Sequence, residues 1–587
     1  MRLKQTIGQS FSRFVLIQII LVWIFLFFYN ENNKQDHIQN DVVVYYSYVP
    51  ATFICKDLTL QFVGKSNCEG KYWPFYLPNG GRVIKMSMGM AYMYTPFFFL
   101  GHWAAPFLKE PQNGYSAPYQ VMLAFGSLVY MMIGFFYLRR LLLYYFNDLV
   151  TGIVMLGLFF GSNLFCYSTI DFLMPHVYLF ALFSIFLYLT HKVHLAANKK
   201  NVIALGLIGG LIALIRPSDV LILIVPAFYG VTNFNDIVTK LRSVKQKKQL
   251  VVLFGAAFII PWIPQFVYWK VVTGDWLFYS YFGEKFFFNS PHILEGLFGY
   301  RKGLFIYSPL ILIAVIGIVL LRKRIPQFFL PTVILLPVFT YVVLSWWCWW
   351  YGGSFGQRSF IDIFPLLAFP LACVVDFFNQ RRFTSLIGLL VLEIIISLNL
   401  FQIWQYKKGL IHYDAMTKEA YWSVFLSSSY PSNWAELIND PDYERAKLGE
   451  KENVDFNSLN GKVNIRASNF KYISCDVNVD GGLSATRENC GDWETLEIEN
   501  RGANTFYLKG SNNKYVFIDE NSNNELVARG NDIKEATLFT AHSTTQNKFS
   551  FGFNDKFVCT DKNLKLSASC ADGNSPDAQF KFYPIAK

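Results

Sequence analysis

The sequence predicts a polytopic α-helical membrane protein followed by an all-β domain. Three observations carry this. Apolar runs recur throughout residues 1–403, residues 404–587 contain none of spanning length and are rich in Asn, Asp and Ser, and the charge splits between the two parts. The 587-residue chain is 53% hydrophobic and 16% charged, against roughly 25% charged in ordinary soluble domains. Lys and Arg exceed Asp and Glu by 15 over residues 1–403 and fall short by 4 over 404–587, giving the net +11. No exposed basic domain carries the excess, which excludes a soluble nucleic-acid binder.

A spanning helix needs about 20 mostly apolar residues, and Lys and Arg in short loops mark the cytoplasmic side. Candidate spans are 14–30, 119–138, 149–166, 176–192, 201–215, 219–231, 250–268, 304–321, 326–345, 359–378 and 384–403, with a further apolar stretch at 90–108. Basic clusters lie at Arg2, Lys4 and Arg13, at Arg139 and Arg140, at Lys192, Lys199 and Lys200, at 240–248, at 322–324, and at Arg381 and Arg382. If 90–108 crosses, every cluster after the first falls outside. If it is re-entrant or juxtamembrane, all six face the cytoplasm. The second reading gives eleven crossings in the cell membrane, with the N-terminus inside and the C-terminal domain extracytoplasmic. The first span reads as an uncleaved signal anchor, because Asn30, Glu31, Asn32 and Asn33 follow it instead of small residues.

Cys166, Cys348 and Cys373 lie in or beside spans, where Cys is a small apolar filler. The other six fall in segments assigned outside, and an even number there suggests disulfides. Proximity pairs Cys55 with Cys68, Cys475 with Cys490, and Cys559 with Cys570.

Charged and polar groups are costly near a membrane, so those at the outer ends of spans are candidate functional groups. The first outer loop, 31–89, holds Asp41, Tyr45, Tyr46 and Lys85. Asp171 and His176 flank the next outer helix start, and Arg216 and Asp219 sit at a Pro-containing break. The loop 269–303 carries Glu284, Arg301 and Lys302, and the loop 346–358 ends in Gln357 and Arg358. This set suits sugar transfer from a lipid-linked phosphate. A carboxylate can deprotonate an acceptor hydroxyl, Arg and Lys can hold the phosphate leaving group, and aromatic faces suit sugar rings. Plainer roles stand beside these. Asp41 can be a solvated helix end, Arg216 can snorkel to the interface, 346–350 can form an interfacial aromatic belt, and His176 can satisfy a neighbouring span.

The stretches around these residues are Asp41 with Tyr45 and Tyr46, IRPS at 215–218, TGDWLFYSY at 273–281 with Glu284, RKGLFIYSPL at 301–310, and WWYGGSFGQRSFIDIFPLLAFPLA at 349–372. Through them residues 14–403 resemble bacterial membrane glycosyltransferases of the GT-C superfamily, distantly related to protein mannosyltransferases and aminoarabinose transferases. The resemblance implies an inverting hexosyl- or pentosyltransferase with an outward-facing site and a polyprenyl-phosphate sugar donor. Asp41 holds the place of the family's catalytic base. The substrate-binding candidates are Tyr45, Tyr46, Lys85, Asp171, His176, Arg216, Glu284, Arg301, Lys302, Gln357 and Arg358, with Lys85 a donor-phosphate contact. Several relatives carry a paired acidic motif where Asn40 precedes Asp41 here, so no metal or other cofactor is expected.

Residues 461–587 repeat with a period near 42. The stretch 471–476 recurs at 514–519 and 556–561, and 483–485 recurs at 526–528 and 566–568. Apolar elements follow at 493–498, 536–539 and 580–583. Short alternating runs bounded by Asn, Asp and Gly are strands, and three copies of a four-strand unit make a β-trefoil. Its wording is similar to fascin-like trefoils, and the QxW signature of ricin-type lectins is absent. The repeated Tyr, Leu and Trp positions are expected to build the trefoil core. The organisation expected is thus a transferase domain at 1–403, an extracytoplasmic linker at 404–460, and the trefoil at 461–587. The activity expected is transfer of a sugar to an extracytoplasmic glycan, lipid or protein, with the trefoil binding glycan. A lipid-linked-sugar flippase, or a glycan-binding surface protein with an inactive membrane part, are the competing functions.

Overall fold

The computed structural model describes residues 10–65, 68, 70–449, 456–478, 480–545 and 548–585; Arg2 and Lys4 of the first basic cluster lie outside the described residues. The chain divides into two compact units, Met1–Tyr430 and Pro431–Lys587.

The first unit is helical, as a bilayer demands, since each peptide group there must be satisfied within its own segment. Among the described residues, seven helices are long and apolar enough to cross a membrane: Phe11–Tyr29, Ala117–Leu142, Pro175–Leu195, Lys248–Thr273, Pro326–Leu344, Arg358–Phe378 and Arg382–Lys407. Each corresponds to one of the eleven expected spans. The other four are shorter or broken. Asp148–Phe160 has 13 residues and Lys199–Ile215 has 17. Beyond Ile215, Pro217 opens a 3-10 segment, Pro217–Leu223, followed by the short helix Ile224–Phe228. The expected span 304–321 is three pieces, Leu304–Tyr307, Pro309–Ile316 and Ile318–Arg324. Pro309 restarts the helix because it has no N–H to continue the previous one. The stretch expected to be re-entrant forms the 16-residue helix Gly89–Ala104 and a 3-10 turn, Pro106–Leu108.

Pro175–Leu195 and Arg358–Phe378 are mostly buried and form the centre of this unit, whereas Lys248–Thr273 is largely uncovered. The first helix is pinned at both ends. Near its start, the Ser12 amide donates to Asp148 Oδ2 at 3.0 Å and Arg139 Nε donates to Ser12 Oγ at 2.5 Å. Near its end, Trp23 Nε1 donates to the Ser168 carbonyl at 2.6 Å. In the loop between 31 and 89, Cys55 and Cys68 form a disulfide, and two short strands, β1 (Phe75–Tyr76) and β2 (Arg82–Val83), pair antiparallel.

The second unit is all-β. Its strands are β3 (Gly461–Ala467), β4 (Tyr472–Cys475), β5 (Leu483–Arg487), β6 (Leu496–Gly502), β7 (Thr505–Lys509), β8 (Tyr515–Asp519), β9 (Glu525–Gly530), β10 (Phe539–Thr545), β11 (Lys548–Phe553), β12 (Lys556–Thr560), β13 (Leu566–Cys570) and β14 (Phe580–Pro584). Six of them close a ring: β3 pairs β6, β6 pairs β7, β7 pairs β10, β10 pairs β11, β11 pairs β14, and β14 returns to β3. The remaining six form the hairpins β4–β5, β8–β9 and β12–β13. Each hairpin has its register shift at the same repeat position, Tyr472/Ile473, Tyr515/Val516 and Phe557/Val558. Leu483, Leu526 and Leu566 are buried with Ala485, Ala528 and Ala568, around a centre that includes Phe506, Phe551 and Phe582. The repeated Tyr472, Tyr515 and Phe557 are only half-buried, and so is Trp493. The expectation of a Tyr and Trp core is therefore corrected. The aromatic residue of each repeat sits at the bulge, on the side away from the apolar centre.

Cys559 and Cys570 are bridged, as expected, and a disulfide here fits an extracytoplasmic location. Cys475 and Cys490 are free, which overturns the third expected pair. Strand alternation explains this. Cys475 shares the core face of β4 with Ile473, whereas Cys490 is exposed and lies beside Tyr472, on the other face.

Candidate active site

Asp41 opens the helix Asp41–Tyr46, directly after Asn40, whose φ is positive at 49°. Arg358 opens the 3-10 segment Arg358–Ile363, which leads into Phe364–Phe378. The two meet across 317 positions of sequence, with Arg358 donating to Asp41 Oδ2 at 2.9 Å. The pair is asymmetric: the Asp41 side chain is 40% exposed and that of Arg358 13%. A carboxylate held on one side by a fixed cation and open on the other can still accept a proton from an incoming group.

The loop that delivers Arg358 is shaped by its own contacts. Tyr351 and Gly356 adopt left-handed φ values of 57° and 60°. Gln357 Nε2 donates to the Trp349 carbonyl at 2.9 Å, and the Phe355 amide donates to the Tyr167 hydroxyl at 3.1 Å. A Cβ at Gly356 would approach Tyr307 Cβ to 3.0 Å, which with its φ favours glycine there.

Around the pair, Arg358 acts electrostatically on Tyr45, Asp171, His176 and Lys302. Tyr45 is buried, and burial, with Tyr281 and Asp41 nearby, pushes its hydroxyl far above the ordinary range. Burial raises the Asp171 carboxyl to about 6, with Arg358 and Lys302 opposing the shift. Lys302 is fully buried, and burial lowers its ammonium to about 7 despite Asp414. Its Nζ donates to the carbonyls of Ser354 and Tyr413.

A second, deeper cluster adjoins the first. Asp362 is fully buried and accepts from Arg216 at 2.6 Å and from His176 Nδ1 at 3.0 Å. Arg216 also donates to Ser359 Oγ at 3.2 Å and lies 5.4 Å from the centre of the Tyr351 ring. The Asp219 carboxyl lies against that of Asp362, takes a bond from Ser218 Oγ at 3.2 Å on Oδ1, and leaves Oδ2 buried without a hydrogen-bond partner. Two carboxyls thus face one guanidinium.

A third group lies on the loop after Lys248–Thr273. Glu284 pairs with Lys85, and Tyr281 from the same loop stands in electrostatic reach of Asp41 and Arg216. The structure thus gathers Asp41, Tyr45, Asp171, His176, Arg216, Lys302 and Arg358 into one neighbourhood, with Lys85 and Glu284 attached through Tyr281. Three expected substrate contacts have partners of their own. Tyr46 is fully buried and donates to the Gly114 carbonyl at 2.6 Å. Gln357 is buried within its own loop. The Arg301 guanidinium lies 5.5 Å from the Trp350 ring centre. Lys302, although near the site, spends its donors on loop carbonyls.

Asp362, Tyr281 and Tyr351 were not singled out from sequence, and Asp219 was noted without a role. Asp362 carried a usable signal, a lone carboxylate four residues after Arg358 in an apolar run. Among the described residues, no group of three His, Cys, Asp or Glu side chains is arranged to hold a metal ion. Compared with protein-family models, the chain matches none, and no curated protein matches it either.

Proposed function

We propose that the membrane part is a GT-C-like glycosyltransferase that moves a sugar from a polyprenyl-phosphate donor to an extracytoplasmic glycan, lipid or protein. In this reading Asp41 takes the proton of the acceptor hydroxyl. The acceptor oxygen bonds to the anomeric carbon as its bond to phosphate breaks, and the polyprenyl phosphate leaves with the electron pair. Inversion at the anomeric carbon follows from this single displacement. Arg358 orients Asp41, and Arg216 and Lys85 are assigned to the developing phosphate charge. No metal is assigned a step.

The observation that carries the reading is the Asp41–Arg358 pair, a half-exposed carboxylate fixed by a largely buried guanidinium. Its setting of tyrosines and further cations suits a sugar phosphate. The topology that goes with the reading has eleven crossings, the four shorter or broken helices lying within the bilayer, and all basic clusters inside. The second unit is proposed to be a fascin-like β-trefoil that recruits glycan; the six-strand ring and three equivalent hairpins support this fold.

The test is direct. Purified full-length protein is given labelled polyprenyl-phosphate sugars with glycan, lipid and protein acceptors, and in parallel is reconstituted into vesicles loaded with the same lipids. Sugar transfer to an acceptor supports the reading. Lipid translocation with no transfer from any donor replaces it with a flippase.

A further inference from the structure

We propose that the helix Phe234–Gln246 lies along the cytoplasmic surface of the membrane, with its apolar stripe among lipid acyl chains and its basic residues on anionic lipid headgroups. The side of the membrane rests on the proposed topology; the contact itself rests on the helix. Phe234, Ile237, Val238 and Leu241 recur at the spacing that gathers them on one face. Phe234 and Leu241 are 76% and 64% exposed, so both ends of the stripe are uncovered. Arg242, Lys245, Lys247 and Lys248 follow, all exposed. Asp236 is the one acidic residue between 232 and 250, and its carboxylate is engaged at the helix start, accepting from the Thr232 and Asn233 amides at 2.8 and 3.1 Å. An apolar stripe bordered by uncompensated cations suits the boundary between acyl chains and anionic headgroups.

The path of the chain puts this stripe at that boundary. Past Lys247 the helix passes directly into Lys248–Thr273, which is long and apolar enough to span and is itself largely uncovered. Before it, two bonds fix the turn from Ile224–Phe228: the Gly230 amide donates to the Gln327 carbonyl at 3.0 Å, and Lys240 Nζ donates to the Tyr229 carbonyl at 2.7 Å. The Tyr229 hydroxyl bonds in turn to that of Tyr145 at 2.9 Å and to His191 Nδ1 at 2.7 Å. Tyr145 lies just after Ala117–Leu142, His191 near the end of Pro175–Leu195, and Gln327 at the start of Pro326–Leu344. The helix is thereby held at the level where three spans end, beside Arg140, Lys192, Arg322 and Lys323. Anionic headgroups attract basic residues next to a span. Lys245, one turn beyond Leu241, can lay its stem along acyl carbons while its ammonium reaches the headgroups.

The test uses full-length Cys490→Ser protein, which lacks the exposed thiol. It carries a nitroxide on Phe234→Cys, on Leu241→Cys or, as the polar-face control, on Thr239→Cys, and is reconstituted into vesicles of phosphatidylcholine alone or mixed with phosphatidylglycerol. Relaxation by oxygen, which partitions into acyl chains, and by a water-soluble nickel chelate reports depth. In the mixed vesicles the labels at 234 and 241 are expected to respond to oxygen and the label at 239 to nickel. Omitting phosphatidylglycerol, or adding Arg242→Gln and Lys245→Gln, is expected to lower the ratio of immersed to aqueous label, by about fivefold for each basic residue removed. Nickel access at 234 and 241 in mixed vesicles overturns the proposal, and so does access by neither reagent, which means that protein covers the stripe. Equal immersion in both kinds of vesicle overturns the anionic partner. The topology is judged separately, by reacting Gln246→Cys with an impermeant maleimide in right-side-out membrane vesicles. Labelling only after lysis supports the cytoplasmic side; labelling of sealed vesicles overturns it, while the relaxation data still decide the contact.

Discussion

Replacing Asp362 by Asn should cost less than its burial suggests, because Asp219 stands ready to replace it. Asp362 is fully buried and takes bonds from Arg216 at 2.6 Å and His176 at 3.0 Å. Stripping a buried guanidinium of its carboxylate ordinarily costs about 3–5 kcal/mol. Here the Asp219 carboxyl touches that of Asp362 and has Oδ2 unused. With Asp362 replaced, Asp219 is the carboxylate left to pair with Arg216. The single variant Asp362→Asn is therefore expected to lose about 1–2 kcal/mol, the share due to the altered His176 and Arg216 bonds. The double variant Asp219→Asn/Asp362→Asn should lose about 3–5 kcal/mol, since no carboxylate is left. Asp219→Asn alone should be close to neutral. Unfolding in mixed micelles, followed by the fluorescence of the chain's 14 Trp residues, measures all three. A double variant no worse than Asp362→Asn would refute the compensation, and so would a single variant that already loses the full amount.

Two further outcomes follow from buried groups. Lys302 sheds its proton at about 7 in the folded chain but near 10.4 when unfolded, so the folded state binds fewer protons between these values. Stability should rise with pH across that window, by up to roughly 1.4 kcal/mol per pH unit, and Lys302→Met should flatten the rise between pH 7 and 9; parallel profiles for the two proteins would contradict this. For the cysteines, Cys490 is exposed and unpaired while Cys475 is buried, so a polar maleimide should label one thiol of the native protein and none in Cys490→Ser. Native protein that resists labelling until a reductant is added would restore the Cys475–Cys490 bridge.

Sequence was most informative where one physical constraint acts over a long stretch. Among the described residues, seven apolar runs are long helices because length and hydropathy suffice to specify them. The failures occur at Pro217, Pro309 and Gly317, where local backbone chemistry divides a run that hydropathy reads as continuous. In the second unit the repeat is visible in the leucine and alanine positions because they share one buried environment. The aromatic positions misled, since a bulge turns Tyr472, Tyr515 and Phe557 off the core face. At the candidate site, charged residues at helix ends were visible one by one, but their partners were not. Asp41 and Arg358 are 317 positions apart, and nothing in either neighbourhood announces the other. Asp362 stands out as a lone carboxylate in an apolar run, but its partners Arg216 and His176 do not, and Lys302 looks available because its carbonyl partners, Ser354 and Tyr413, are backbone groups that a sequence does not distinguish.

The central claim is that Asp41, fixed by Arg358, takes a proton from the acceptor. Its most direct test is the turnover of Asp41→Asn beside wild type, on whichever polyprenyl-phosphate sugar and acceptor the wild type uses. A positioned general base contributes about 10²- to 10⁴-fold, so kcat should fall by that factor while the donor KM stays within about twofold. An Asp41→Asn protein that transfers sugar at the wild-type rate would contradict the account.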